Sequence, residues 1–252
     1  MMRFLLLLVL IAGFVIGVVA FAPLSFILKT SGAEARGLSW TSAEGTLMGG
    51  RITGLRAGQD VLGDATLKLN PVSLLALGIE YDFDWAGPSG KGTGKAAAYA
   101  TGTTELRDFN IELDFAALDG VAAWIRQSGG KARLTGDIIR FRKGACDKAN
   151  GQAWSDALGK NAAVLGPGWP DMAGELSCDG DALLIPFKSA NPSGTQLDAT
   201  ARFNIDGNGN LEARVSGVIP QQYQYGLPIA GFVPDGNTYV YRYPALPREV
   251  PR

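Results

Sequence analysis

The sequence predicts a mainly β protein: an N-terminal transmembrane helix, then a mostly antiparallel sheet with two or three short helices. Three observations carry this reading. Phe4–Leu28 runs for 25 residues without a charged side chain. Beyond it, short segments alternate apolar and polar side chains with the period of two that marks a strand exposed on one face. The 34 glycines, with aromatic residues recurring along the body, suit many short strands joined by tight turns better than a helix bundle.

A helix rising 1.5 Å per residue over Phe4–Leu28 spans a hydrocarbon core of ~30 Å with some tilt. Leu5 to Leu8, Val9, Leu10 and Ile11 supply the apolar density, and Gly13, Gly17 and Pro23 are tolerated in a membrane helix. Only Met1, Met2 and Arg3 precede it, so the positive-inside rule puts the amino terminus in the cytoplasm and everything from Lys29 outside it. Ala20-Phe21-Ala22 also has the small-x-small form of a signal-peptide cleavage site, but Pro23 would follow the cut, which proline blocks, and the run exceeds an ordinary signal core. Either way the rest is exported. The expected organisation is residues 1–28 as N-tip and anchor, 29–243 as a β-rich domain and 244–252 as a proline-rich tail.

The net charge of −1 gives no electrostatic footprint for nucleic acid and no polybasic patch for acidic lipid. The chain has no histidine, which excludes Ser-His-Asp and Cys-His catalysis and His-ligated zinc. Cys146 and Cys178 form an even pair in an exported chain, which favours a disulfide; two buried thiols are the alternative.

In chain order, Gly45, Gly49, Gly50, Gly54 and Gly58 divide residues 37–58 into short strands. Asp64–Leu69 alternates. Asn70-Pro71 opens a short helix whose apolar part is Val72, Leu74, Leu75 and Leu77, with Gly78 as its C′ residue. In the next strand Ile79, Tyr81, Phe83 and Trp85 share one face and Glu80, Asp82 and Asp84 the other. P-S-G-K-G-T-G-K (88–95) reads as a loop before a strand at Lys95–Thr101. Phe109, Ile111, Leu113 and Phe115 again share a face. Leu118, Val121, Ala122 and Ile125 then take helical spacing, ending at Ser128-Gly129-Gly130. Lys131–Phe141 is a strand whose apolar parity switches near Ile138-Ile139, the mark of a bulge or a two-sided strand. Residues 142–180 are the least regular, with a short helix from Gln152 to about Ala163. Strands follow at Asp181–Lys188, at Gln196–Asp206 (Leu197, Ala199, Ala201, Phe203 and Ile205 on one face) and at Asn210–Ser216, the last two joined by Gly207-Asn208-Gly209. Tyr239, Tyr241 and Tyr243 alternate before the tail. About ten strands result.

No residue set amounts to a catalytic, cofactor or metal site. Glu80, Asp82 and Asp84 alternate with apolar residues, as a solvated sheet face does. Asp206, Asn208, Asn210 and Glu212 resemble the start of a calcium loop, but Leu211 stands where its glycine belongs and no helices flank it. Gly90, Gly92, Gly94 and Lys95 lack P-loop spacing, and Ala96 replaces the Mg²⁺-binding hydroxyl. The repeated apolar faces (Ile79, Tyr81, Phe83, Trp85; Phe109, Ile111, Leu113, Phe115; Leu197, Phe203, Ile205) either close over a core or line an open groove.

The strings S-W-T-S-A-E-G-T-L-M-G-G (39–50), L-K-L-N-P-V-S-L-L-A-L-G (67–78) and L-P-I-A-G-F (227–232) resemble the type II secretion system protein N family, with Met48 where an aromatic is frequent. The paired cysteines after a central helix are similar too. The resemblance implies a bitopic protein of the bacterial inner membrane with a periplasmic body, acting without enzymatic activity by binding other type II secretion components. The family is similar in pattern to AsmA-like and bridge-like lipid-transfer proteins, which implies a half-pipe sheet with an apolar inside and, as the alternative function, lipid binding or transfer between the membranes.

Overall fold

The computed structural model describes residues 21–30, 32–34, 37–119, 121–205 and 208–243. Their alternating segments form sixteen strands of one sheet. The first eight are β1 (Leu38–Ser39), β2 (Ser42–Thr46), β3 (Gly49–Ala57), β4 (Asp60–Leu69), β5 (Gly78–Gly87), β6 (Gly90–Tyr99), β7 (Thr103–Asp114) and β8 (Lys131–Arg142). There follow β9 (Ala145–Ser155), β10 (Met172–Glu175), β11 (Ser177–Asp179), β12 (Ala182–Ala190), β13 (Thr195–Phe203), β14 (Gly209–Gly217), β15 (Val233–Asp235) and β16 (Thr238–Tyr243). Neighbours in sequence are neighbours in space, except that β1 and β2 both pair with β3, β10 and β11 both pair with β12, and β15 lies outside β16. Every named pairing is antiparallel, as short connections require. The path from β1 to β15 does not close.

Antiparallel order puts the connections on two rims. One rim carries Leu47–Met48, residues 70–77, 100–102, 143–144, 180–181, 204–205 and 208. The chain enters the described body on this near rim: Leu47 N–H donates to Ala22 O at 3.1 Å and Pro23 bridges to Thr46. The far rim carries the longer connections, with α2 (Ala123–Ser128), α3 (Ala157–Lys160), α4 (Ala162–Leu165), α5 (Gln221–Gln224) and α6 (Gly226–Ile229). Leu158, Leu165, Trp169, Leu227, Ala230 and Phe232 from these connections pack on Leu197, Ala199, Ala213 and Val215, so the far end of the concave side is filled.

Several expectations need correction. Residues 88–95 are not a loop but a two-residue turn and the first half of β6. Its glycines make room for rings: a Cβ at Gly92 would lie 2.9 Å from Trp85, and one at Gly94 would lie 3.0 Å from Phe83. Residues 145–155 form β9, and the helix expected from Gln152 is instead the pair α3 and α4. The helix expected at Leu118 starts at Ala123, after a 3₁₀ turn at Phe115–Ala117 that takes Phe115 out of the strand. Ile205 lies beyond the end of β13, in the turn to β14. The 3₁₀ helix Pro71–Ala76 ends on Leu77 in the left-handed region, not on Gly78. Gly78 begins β5, where a Cβ would meet the Tyr99 ring at 2.3 Å. Glu80 is not solvated with Asp82 and Asp84; it is buried, pairs with Arg107 and accepts from Asn70 Nδ2 at 2.8 Å.

Among the described residues no helix is long and apolar enough to cross a membrane. Residues 1–20 of the expected anchor, and the tail 244–252, lie outside the described residues. The end of the apolar run belongs to the body: Leu24–Thr30 is a short helix, α1, with Leu24 buried against Gly50. The parity switch at Ile138-Ile139 is a bulge, with register shifts between Gly136 and Ile138 and again between Arg140 and Phe141.

Candidate functional site

The apolar residues of successive strands stand opposite one another. Leu67 pairs with Phe83, Ile111 with Leu134, Leu134 with Ala153, Ile185 with Ala201, Ala201 with Leu211 and Ala213 with Tyr241. A period of two in each strand, kept in register, makes one face apolar from β4 to β16. A side-chain slip at one point would break this continuity. The paired irregularities in β7 and β8 prevent it: Asp108, at φ 49, and the Gly136–Ile138 shift reset both strands, so Leu106 and Ile139 stay on the face of Phe109 and Leu134.

Between the walls lies an apolar trough of about 480 Å³. β7 to β9 supply Ile111, Leu113, Leu134 and Ala153; β12 to β14 supply Ile185, Phe187, Leu197, Ala199, Ala201, Phe203, Leu211 and Ala213; Phe115, Trp124, Leu158 and Leu165 close the far end. Trp124 has a buried indole N–H without an acceptor among the described residues. Exposure along β13 rises from 3% at Leu197 to 41% at Phe203, so the trough opens toward the near rim. A second apolar space of about 290 Å³ lies where Leu28, Leu38 and Trp40 cover Ile52, Leu55, Ala65, Leu67, Phe83 and Trp85. Gly92 sits between Trp85 of this space and Ile111 of the trough.

The eleven residues that the alternation singles out are therefore distributed. Ile111, Leu113, Phe115, Leu197 and Phe203 line the trough, and Phe83 and Trp85 line the second space. Phe109 is buried in the central cluster with Ile139, Leu183 and Ile185. Tyr81 lies at the near rim, its hydroxyl donating to Leu47 O at 2.8 Å and pushed up in pKa by burial. Ile79 and Ile205 are exposed. Ala199, Ala201 and Ala213 carry the same alternation and also line the trough. Trp124, Leu158 and Leu165 were missed as lining, because no period of two marks the far-rim connections they stand in.

The opposite face is polar and crossed by ion pairs: Arg51–Asp64 at 2.7 Å, Lys95–Asp108 at 2.7 Å and Glu112 with both Lys131 and Arg133 at 3.0 Å. The partner hydrogen bonds hold the Asp64, Asp108 and Glu112 carboxyls below their ordinary range and raise Lys95 and Lys131. These are solvated pairs that order the surface. Among the described residues no group of three or more His, Cys, Asp or Glu could hold a metal ion.

The expected disulfide is present, joining Cys146 of β9 to Cys178 of β11 with Cα atoms 5.4 Å apart. It sits where the ladder of the sheet is interrupted. β10 pairs with β9 over Met172–Glu175 but meets β12 only at Ala173–Lys188, while β11 pairs with β12. Past the bond from Leu176 N–H to Gly151 O, β9 and β11 share no ladder among the described residues, and the bridge ties the walls there.

No curated protein sequence and no solved structure matches the chain. A family model does: type II secretion system (T2SS), protein N, over residues 36–240. That span takes in the whole sheet but for the last residues of β16, and with it the chain belongs to the type II secretion system protein N family.

Proposed function

We propose that this chain is an inner-membrane-anchored, periplasmic component of type II secretion whose body binds a lipid acyl chain in the apolar trough. Family membership supports the role in secretion. The observation that carries the ligand class is the lining: a space of about 480 Å³, within the ordinary size of a small-molecule site, walled almost wholly by apolar side chains and open at one rim. An extended peptide laid in it would leave its backbone groups without partners, at a cost of ~1–3 kcal/mol each. An acyl chain makes no such demand.

The anchor in this reading is residues 4–21, which carry no charge. At 18 residues that run is near the lower end of a spanning length. The positive-inside rule places the body outside the cytoplasm. Docking of protein partners on the sheet edges is less supported. β1 has two residues, and β15 has three including Pro234, and short edges with proline discourage strand addition.

Lipid extraction from the purified full-length protein tests the reading. Phospholipid should co-purify with the native chain, and Ala199→Trp, which fills the trough, should lose most of it while keeping a cooperative unfolding transition. Equal lipid content in both proteins would refute the trough as the site.

A further inference from the structure

The connection from β4 to β5 has its polar groups inside and its apolar groups outside. Residues 70–79 read N-P-V-S-L-L-A-L-G-I and carry no charge. Leu75 is 87% exposed and Leu77 76%, and Val72 and Leu74 are exposed beside them. Beneath them Ser73 and Glu80 are buried.

The polar groups fix the shape. Asn70 Oδ1 accepts the Val72 N–H at 3.2 Å. The Ser73 hydroxyl donates to Asn70 O at 2.7 Å and accepts the Glu80 N–H at 3.0 Å. Leu77 N–H donates to Leu74 O at 3.1 Å, and Ala100 N–H donates to Leu77 O at 2.9 Å. Leu77 adopts φ 52, a conformation a leucine takes only where its surroundings over-determine it. The tip is therefore a braced element that holds four apolar side chains in solvent. Large apolar groups clustered in this way mark an interaction surface.

Its position names the partner. Ala22 O accepts from Leu47 N–H, and the next residue, Met48, accepts from Leu69 N–H at 3.0 Å, immediately before the tip. The uncharged run of residues 4–21 thus joins the body at the base of the tip. Exposed Phe21 lies at this junction, and the trough opens on the same rim at Phe203. Val72, Leu74, Leu75 and Leu77 offer no polar side chain with which a protein partner could be specified, whereas a bilayer asks only for apolar area.

We infer that the tip formed by residues 72–77 is a second membrane contact. It inserts into the apolar boundary of a phospholipid bilayer beside the anchor and sets the near rim, with the mouth of the trough, against the lipid. The inference rests on the anchored reading above. It adds that the body is held at the membrane in one orientation rather than swinging from a tether.

The test uses the full-length, disulfide-intact protein carrying one new labelled cysteine. Leu75→Cys places an environment-sensitive fluorophore on the tip, and Ser193→Cys places it on an exposed far-rim turn. Both are reconstituted in vesicles of phosphatidylethanolamine and phosphatidylglycerol. Quenching by lipids brominated on the acyl chain is compared with quenching by iodide present on both sides. Resistance to carbonate extraction is read in parallel as the test of the anchor. At position 75 most of the fluorescence should be lost to brominated lipid, with a blue-shifted emission, and little to iodide; position 193 should show the reverse. A position 75 open to iodide in a protein that resists carbonate overturns the tip contact and leaves the anchor standing. Bromine quenching at 75 in a protein that carbonate strips supports the tip and refutes the anchor. Iodide quenching at 75 together with extraction refutes both.

Discussion

Phe109 and Phe203 occupy the same face of the sheet, yet they stand in different surroundings. Phe109 is 2% exposed among Ile139, Leu183 and Ile185, while Phe203 lies at the open rim. Phe109→Ala should therefore cost about 3–5 kcal/mol, and Phe203→Ala about 1 kcal/mol, in denaturant unfolding of the purified protein. Equal large losses would mean that the trough is closed at that rim. Alternation alone made the shared face legible, because a period of two assigns side chains to faces. It could not tell the two residues apart, because burial depends on which strand end is capped by a distant connection. The carboxylates behave likewise: Asp64, Asp108 and Glu112 alternate as an exposed face should, but their ion-pair partners come from neighbouring strands. Their folded-state pKa values are lowered, so the stability they contribute is present above the unfolded-state carboxylate values. It is lost as pH falls through the lower folded-state values. Unfolding midpoints should be level near neutral pH and decline below about pH 4, with a shallower decline in high salt. A midpoint that rises on acidification would contradict this assignment.

At the scale of elements, the disulfide and the tip show what the fold asks of short stretches. The 32-residue separation of Cys146 and Cys178 corresponds to a stabilisation of about 3–4 kcal/mol on the chain-entropy estimate. Because the bridge spans the joint where β9 and β11 lack a ladder, its loss should also act locally. In the Cys146→Ser/Cys178→Ser double variant, amide exchange should speed up first in β10 and β11, with β5 to β7 unchanged. Uniform acceleration through the sheet would show that the bridge acts only on the unfolded chain. Strands with clean alternation, such as β5 and β13, were legible from sequence. β6 was not, because its glycines serve the rings of Trp85 and Phe83, a requirement set by the neighbouring strand. β9 was not, because its inward residues include the small Ala149 and Ala153, too small to give an amphipathic signal. The bulge near Ile138 was legible because one extra residue in a strand reverses the face on which its later apolar residues fall.

For the whole molecule, the sequence left two outcomes for its apolar faces, a closed core and an open groove, and the fold contains both. Helices on the far rim fill one end of the concave side, and hairpin turns on the near rim leave the other end open. Which end would be filled was not legible, since the filling residues lie in the irregular stretches 156–171 and 218–232, where no period marks them. The family was legible, because its short motifs survive at the β2–β3 hairpin, the tip and α6. The functional account depends on the open end receiving a lipid chain. The most direct measurement uses a phospholipid with a diazirine on its acyl chain, incorporated into the membranes of cells making the full-length protein, irradiated, and followed by peptide mapping. The account predicts adducts on the inward residues of β12 to β14, such as Ile185, Ala199 and Leu211. Adducts confined to residues 4–21 and the tip, with none on those strands, would contradict it.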